Sequence, residues 1–424
     1  MLTKAPRGTR DVLPEEVYKW HFVEDMFRQI CHRFGYGEMR TPAFEHTELF
    51  QRGVGETTDI VQKEMYTFED RGGRSITLKP EGTAPVVRAF VEHKLYAEAQ
   101  PSKYYYITPC FRYERPQSGR LRAFHQFGVE VFGSYGASTD AEVIAIAVHF
   151  FNRLGLKGLE VRVNSVGCPK CRSEYNRKLK EFLSDKLPDL CKTCNTRYET
   201  NPLRIIDCKE EKCRNVINDV PFMLDNLCGE CKTHFEELKA YLEIMGIEYT
   251  VDPRIVRGLD YYTKTAFEIV SRDIGSQGTV CGGGRYEGLV EECGGPAMPG
   301  IGFGLGIERL ILTLENQGIG VEKPVGTDIY VANVGERAGK TAFGLVYDLR
   351  KAGLGAECDH MNRSLKAQMK YSDKLGARFT MVLGEEEIQE GTARLKNMQS
   401  GVETPVKLEV EAIKAIIMQI KGSK

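Results

Sequence analysis

Every second residue from Gly300 to Gly306 is glycine, with Ile301, Phe303 and Leu305 between them, and the run passes into Ile307, Glu308 and Arg309. A β-strand sends successive side chains to opposite faces, so this spacing predicts one apolar face and one face bare of side chains. A flat group such as adenine can lie on a bare face. The apolar helical run ERLILTL follows directly, which puts Arg309 near a strand-to-helix turn and within reach of whatever occupies that floor.

A second segment, FRYERPQSGRLRAFHQFGVEVF at 111–132, sets Arg112, Glu114, Arg115, Arg120 and Arg122 around a turn marked by Pro116 and Gly119, between two aromatic-rich runs of β character. Fixed cations at that density meet phosphates, because a guanidinium fork grips two oxygens at once. Either segment alone reads as an ordinary hairpin or a tightly packed glycine strand. Together they describe a site for an activated nucleotide.

The two segments resemble motifs 2 and 3 of the class II aminoacyl-tRNA synthetases: an Arg-x-Glu strand, a basic loop and a returning aromatic, then a Gly-x-Gly-x-Gly-x-Glu-Arg strand and helix. RGLDYYTKTAFEIV at 257–270 and LKPEGTAPVVRAF at 78–90 narrow the resemblance to the histidyl-tRNA synthetase family. PRGTRD at 6–11, RTPAFEHTELF at 40–50 and CGGGRYEGL at 281–289 carry it nearly end to end. The resemblance implies an α+β chain. Residues 1–325 would form a class II catalytic domain with an antiparallel sheet and a helical insertion at about 168–246, and 326–424 an α/β anticodon-binding domain.

The activity it implies is ATP-dependent ligation of L-histidine to tRNA(His) through a histidyl-adenylate, with Mg²⁺ beside ATP. A carboxylate attacking a phosphate brings two anions together, so positioned cations have to cancel their repulsion. By resemblance Arg112 bridges the α-phosphate and the substrate carboxylate, Glu114 and Phe124 join it in holding ATP, and Arg309 holds the far end. Arg257 stands against the α-phosphate. Histidine needs partners for an ammonium, a carboxylate and an imidazole. The family pattern gives Glu81, Thr83 and Gln126 to the ammonium, Glu130 and Tyr262 to the ring, and Tyr261 and Tyr286 to the pocket wall. Gln117 and Arg120 fall in the loop that meets the tRNA acceptor end. RTPAFEHTELF corresponds to the dimer-forming motif 1, which implies a homodimer. A catalytically silent relative acting as a histidine-sensing subunit typically loses the arginines and the C-terminal domain, and this chain has both.

The bulk numbers agree with a globular protein of two or three domains: 424 residues, 42% hydrophobic and 28% charged. A formal net charge of -1 argues against a polybasic binder, though local patches can still hold nucleic acid. The first residues, MLTKAPRGTRDVLPEE, lack an apolar signal region, and no stretch approaches the roughly 20 apolar residues of a membrane span, so a cytoplasmic protein without membrane contact is expected. Residues 15–35 predict an amphipathic helix, and GEMRTPAFEH a strand interrupted by Pro42. After a glycine-rich linker at 316–328, DIYVANV, AECD and FTMVLG alternate with helical stretches at 337–352 and 364–376, a βαβ pattern with a largely parallel core. Lys366, Lys370 and Lys374 recur every four residues, which suits a solvated helix face as well as a tRNA contact. NVGERAGKT at 333–341 imitates a phosphate loop but has Val334 where the first glycine belongs.

Eight of the thirteen cysteines fall in the insertion: Cys168, Cys171, Cys191, Cys194, Cys208, Cys213, Cys228 and Cys231. Three C-x-x-C pairs in a reducing compartment suit structural Zn²⁺, since that spacing lets two thiolates grip one ion. Reduced thiols packed in a small helical core are the other reading. Eight ligands would make two sites, and the spacing leaves their pairing open.

Overall fold

The computed structural model describes residues 3–55, 58–208, 210–256, 261–272, 278–324 and 326–421. They divide into two compact units, Met1–Val321 and Glu322–Lys424.

Among the described residues of the first unit, eight strands form one sheet: β1 (Gly37–Glu38), β2 (Ser102–Phe111), β3 (Ala123–Phe132), β4 (Leu159–Ser165), β5 (Thr250–Val251), β6 (Tyr262–Ser271), β7 (Thr279–Tyr286) and β8 (Gly300–Gly306), in the order β1-β2-β3-β8-β7-β6-β4-β5. The six inner strands pair antiparallel, while β1 on β2 and β5 on β4 are parallel. The basic segment is therefore a hairpin, β2 and β3, and β3 pairs directly with the glycine strand β8.

One face of this sheet is apolar. Phe127, Val129 and Val131 of β3, Ile301, Phe303 and Leu305 of β8, and Phe267 and Ile269 of β6 all project into a single core. Helices α1 (Val17–Arg33) and α3 (Ala137–Arg153) cover it. Trp20, Val23, Phe27 and Ile30 recur at helical spacing and form the buried stripe of α1. Phe27 stacks on Phe127 with ring centroids 4.6 Å apart. Burying such a side chain contributes about 1.5–3 kcal/mol over leaving it exposed. A one-residue slip of β8 would turn Ile301, Phe303 and Leu305 out of the core, so this face fixes the register and commits the glycines to the opposite side.

That opposite side carries α2 (Thr83–Glu92), packed through Val86, Val87 and Phe90 against Tyr106, Phe132 and Tyr286. The stretch around Pro42 is not one strand. Proline cannot donate to a ladder, so the chain breaks there: Gly37–Glu38 joins the main sheet, and Phe44–His46 joins a second sheet of three strands with Tyr66–Glu69 and Ser75–Leu78.

Between β4 and β5 the insertion supplies α4 (Pro169–Leu183), α5 (Lys192–Thr200), α6 (Glu211–Val216) and α7 (Gly229–Ile244). Tyr175, Leu179, Leu183, Ile205 and five of the cysteines form its own small core. The returning helix α7 instead buries Phe235, Leu238 and Leu242 in the main core. Helix α8 (Ile307–Asn316) follows β8 without a break.

The second unit is a sheet of β9 (Ile329–Asn333), β10 (Ala356–Cys358), β11 (Phe379–Leu383), β12 (Thr392–Asn397) and β13 (Glu403–Lys407), in the order β10-β9-β11-β12-β13. The predicted βαβ part is present, with parallel β10, β9 and β11 and helices α9 (Glu336–Lys351) and α10 (Leu365–Lys374). The antiparallel hairpin β12–β13 was not anticipated. Its strands TARLKN and ETPVK are short and charged, and Pro405 interrupts the second. No helix among the described residues is long and apolar enough to cross a membrane.

Candidate active site

The glycine strand is only partly a floor. Glu130 faces Gly302, and Tyr286 faces Gly300, across the ladders on either side. A Cβ at Gly302 would lie 2.0 Å from Glu130 Oε2, one at Gly300 2.2 Å from the Tyr286 ring, and one at Gly304 2.2 Å from Gln126 Nε2. Neighbouring side chains lean into the room the glycines leave, so the expected bare surface shrinks to Gly306 and to the part of Gly304 that Gln126 does not cover. Those two line an open cavity of about 790 Å³.

Glu130 has no exposed surface. Its Oε1 accepts a hydrogen bond from the Thr83 hydroxyl at 2.7 Å and its Oε2 one from the Tyr286 hydroxyl at 2.6 Å. Burial pushes its carboxyl up to about 8, although these hydroxyls act the other way. Glu81 is also buried and caps α2, accepting from the backbone N–H groups of Thr83 (2.8 Å) and Ala84 (2.7 Å); burial again raises its carboxyl. Gln126 accepts from the Gly82 N–H at 3.0 Å. Tyr261 packs between Tyr262 and Tyr286, at centroid distances of 4.6 and 5.4 Å. Two buried acids, an amide and a tyrosine cluster make a pocket rich in groups that gain from a cationic, hydrogen-bonding guest.

The cations gather beside it. Arg112 donates through Nε to the Pro80 carbonyl at 2.7 Å and lies over the Phe124 ring at 5.3 Å. Glu114 sits 3.7 Å from Arg112 and 2.8 Å from Arg120, so one carboxylate spaces two guanidiniums. Gly119, with φ +68° in the left-handed region, lets the hairpin turn pack against the backbone of Arg309. Arg309 donates to the Thr279 carbonyl at 2.7 Å; burial pushes its pKa down, yet a guanidinium stays charged.

One cavity thus holds Glu81, Thr83, Gln126, Tyr261 and Tyr262 together with Arg112, Glu114, Phe124, Arg120 and Arg309. Glu130 and Tyr286 stand behind its wall. Gln117 is exposed at the hairpin tip, bridged to Arg120. Arg257 lies outside the described residues.

Sequence reasoning passed over several residues that build this site. Glu308 accepts from the His125 N–H at 2.9 Å and sits 3.1 Å from His125 Nδ1, tying the start of α8 to β3. Its position in the Gly-x-Glu-Arg run was the available signal. Asp140, at the start of α3, is fully buried with Arg285 of β7, which donates to it through Nε at 3.1 Å; His234 of α7 approaches at 2.8 Å, and Thr265 of β6 donates as well. Asp207, Cys208, Arg214 and Asn215 of the insertion line the same cavity, and only the tertiary fold brings them there.

The cysteines resolve into two groups. The Sγ atoms of Cys168, Cys171, Cys228 and Cys231 all lie within 4.8 Å of one another, as do those of Cys191, Cys194, Cys208 and Cys213. Zn–S bonds of ~2.3 Å in a tetrahedron place sulfurs ~3.8 Å apart. Cys168 is 3.6 Å from Cys171 and 4.0 Å from Cys228, and Cys191 is 4.0 Å from Cys208. Both groups could hold a metal ion.

The chain matches the family model "Histidyl-tRNA synthetase" over residues 8–310 and the model "Anticodon binding domain" over 328–419. It is 64% identical to a histidine–tRNA ligase of Caldanaerobacter subterraneus subsp. tengcongensis, covering 98% of this chain and 100% of that one. It is 61% identical to one of Clostridioides difficile over 98% and 99%. Among solved structures it is similar to apo histidyl-tRNA synthetase of Staphylococcus aureus, with TM-score 0.83, 41% identity, and coverage of 98% and 99%.

Proposed function

The chain belongs to the histidyl-tRNA synthetase family, and from that membership we propose that the cavity over Gly304 and Gly306 is where histidine is activated and passed to tRNA. The protein ligates histidine to tRNA(His), and the adenylate intermediate is general to its family. The observation that carries the placement is the sharing of one cavity by Glu81, Thr83, Gln126 and Tyr262 with Arg112 and Arg309.

In this reading the histidine ammonium meets Glu81, Thr83 and Gln126, and Glu130 with Tyr262 addresses the ring. Tyr261 and Tyr286 wall the pocket. The histidine carboxylate attacks the α-phosphorus of ATP, forming a C–O–P bond as pyrophosphate leaves. Arg112, held by Pro80 and Phe124, bridges the two approaching anions; Arg309 takes the outer phosphates; Glu114 fixes Arg112 and Arg120 in place. Arg257 keeps the α-phosphate role its motif implies. Class II synthetases use Mg²⁺, which would neutralise the outer phosphates, and the Glu114 and Glu268 carboxylates on the cavity wall would offer it hard oxygen donors. Gln117 and Arg120 meet the acceptor end of tRNA, and exposed Lys366, Lys370 and Lys374 meet the other end of it.

Residues 1–325 form the catalytic domain in this proposal, and 326–424 the anticodon-binding domain. Exposed Phe44 and Phe68 on the three-stranded sheet support a homodimer. Thirteen free cysteines support residence in a reducing cytoplasm, and the two thiol tetrads support structural zinc in the insertion.

Pyrophosphate exchange with each amino acid in turn tests the assignment. Histidine alone supports exchange, and Arg112→Ala or Arg257→Ala lowers the rate by about a hundredfold or more while the circular dichroism stays unchanged. Exchange with another amino acid, or wild-type rates in both variants, overturns it.

A further inference from the structure

The two cysteine groups repeat one construction. In each, a C-x-x-C pair opens a helix with its first cysteine as N-cap: Cys228 before α7 and Cys191 before α5. In each, that cysteine's backbone N–H donates to a sulfur of the opposite pair at 3.1 Å, Cys228 to Cys171 and Cys191 to Cys213. In each, the leading sulfurs of the two pairs are 4.0 Å apart, Cys168 with Cys228 and Cys191 with Cys208. Four sulfurs within 4.8 Å of one another, with a backbone N–H turned toward each set, form the tetrahedral donor arrangement that structural zinc takes.

Their places in the fold differ. The outer group joins 168–171, where the chain leaves the sheet, to 228–231, where it starts back. The inner group lies wholly within that loop. Its Cys208 lines the cavity that contains Arg112 and Arg309, next to Asp207, Arg214 and Asn215. This wall has little backbone structure of its own: a 3₁₀ turn at Pro202–Ile205 and the six-residue α6. Helical pieces so short do not persist without tertiary support. Arg197 and Arg204, from the same stretch, reach Asp59 outside the insertion at 3.3 and 3.4 Å.

We propose that the insertion binds two zinc ions, one in each cysteine group, and that the inner ion holds the cavity wall at Asp207 and Cys208, so that its occupancy sets the affinity for ATP. The second half of this proposal rests on the reading of the cavity as the ATP site.

The test uses the full-length chain purified without chelator. Elemental analysis finds two zinc ions per chain, and protein grown with cobalt shows the visible absorption of tetrahedral thiolate-bound cobalt. Cys194→Ser with Cys213→Ser, two members of the inner group that do not line the cavity, leaves one ion and the far-UV circular dichroism intact, and raises KM for ATP in pyrophosphate exchange by about tenfold with little change in kcat. Should that variant misfold, stripping wild-type protein to one ion and restoring zinc gives the same readout: KM returns with the second equivalent. Fewer than two ions in the untreated chain, or loss of the inner ion with KM for ATP unchanged, overturns the proposal. Metal content and the cobalt spectrum do not depend on catalysis, so two bound ions in a chain without exchange activity would refute the active-site reading alone.

Discussion

Glu130 keeps its proton at neutral pH because burial outweighs the hydroxyls around it, and a ring N–H offered by bound histidine would reverse that balance. Binding at pH 7 should therefore release close to one proton, measured by titration calorimetry in buffers of different ionisation enthalpy, and Glu130→Gln should release none. Equal proton release in the two proteins would remove Glu130 from ring recognition. The free protein shows the same group in its stability. Its folded pKa of about 8 lies above the ordinary 4.5, so between those values the unfolded chain has given up a proton the native chain retains, and stability falls as pH rises through that window. Glu130 was legible through the family pattern, and Arg112 as part of a dense basic turn. Asp140 was not, because its partners His234 and Arg285 lie 94 and 145 residues away and no local pattern marks them.

The glycines of β8 differ in what they exclude. A methyl group at Gly302 would meet both Glu130 Oε2 at 2.0 Å and the Val129 carbonyl at 2.3 Å, and the second is backbone that cannot step aside. At Gly304 the obstacle is the far end of the Gln126 side chain. Gly302→Ala should lose about 1–3 kcal/mol of stability by denaturant unfolding, in line with overpacked cores. Gly304→Ala should lose less, while raising KM for histidine by displacing Gln126. Equal destabilisation by the two would deny this division of labour. The period of two announced the strand and its faces; what fills the vacated side depends on the register of β3 and β7 beside it, which no single strand encodes. Pro42 shows the same limit, since it signals a break without saying that two different sheets receive the two halves.

The linker at 316–328 divides the molecule in the sequence and in the structure, the two units meeting at Val321 and Glu322. A chain ending at Val321 should retain histidine-dependent pyrophosphate exchange within about tenfold and lose most tRNA charging. Full charging by that truncation would contradict the role assigned to the second unit. The alternation of strands and helices made that unit readable, apart from its charged closing hairpin. In the insertion the cysteine spacing named the chemistry but left the pairing open, because loop closure over some sixty residues is decided by how α4 and α7 come together. His234 reaches Asp140 from that same α7. The detour between β4 and β5 is therefore no detachable ornament: its return leg has been conscripted by the sheet. A descendant could reshape the far end of the excursion, but one that excised it whole would take from a buried carboxylate one of the three side chains that satisfy it.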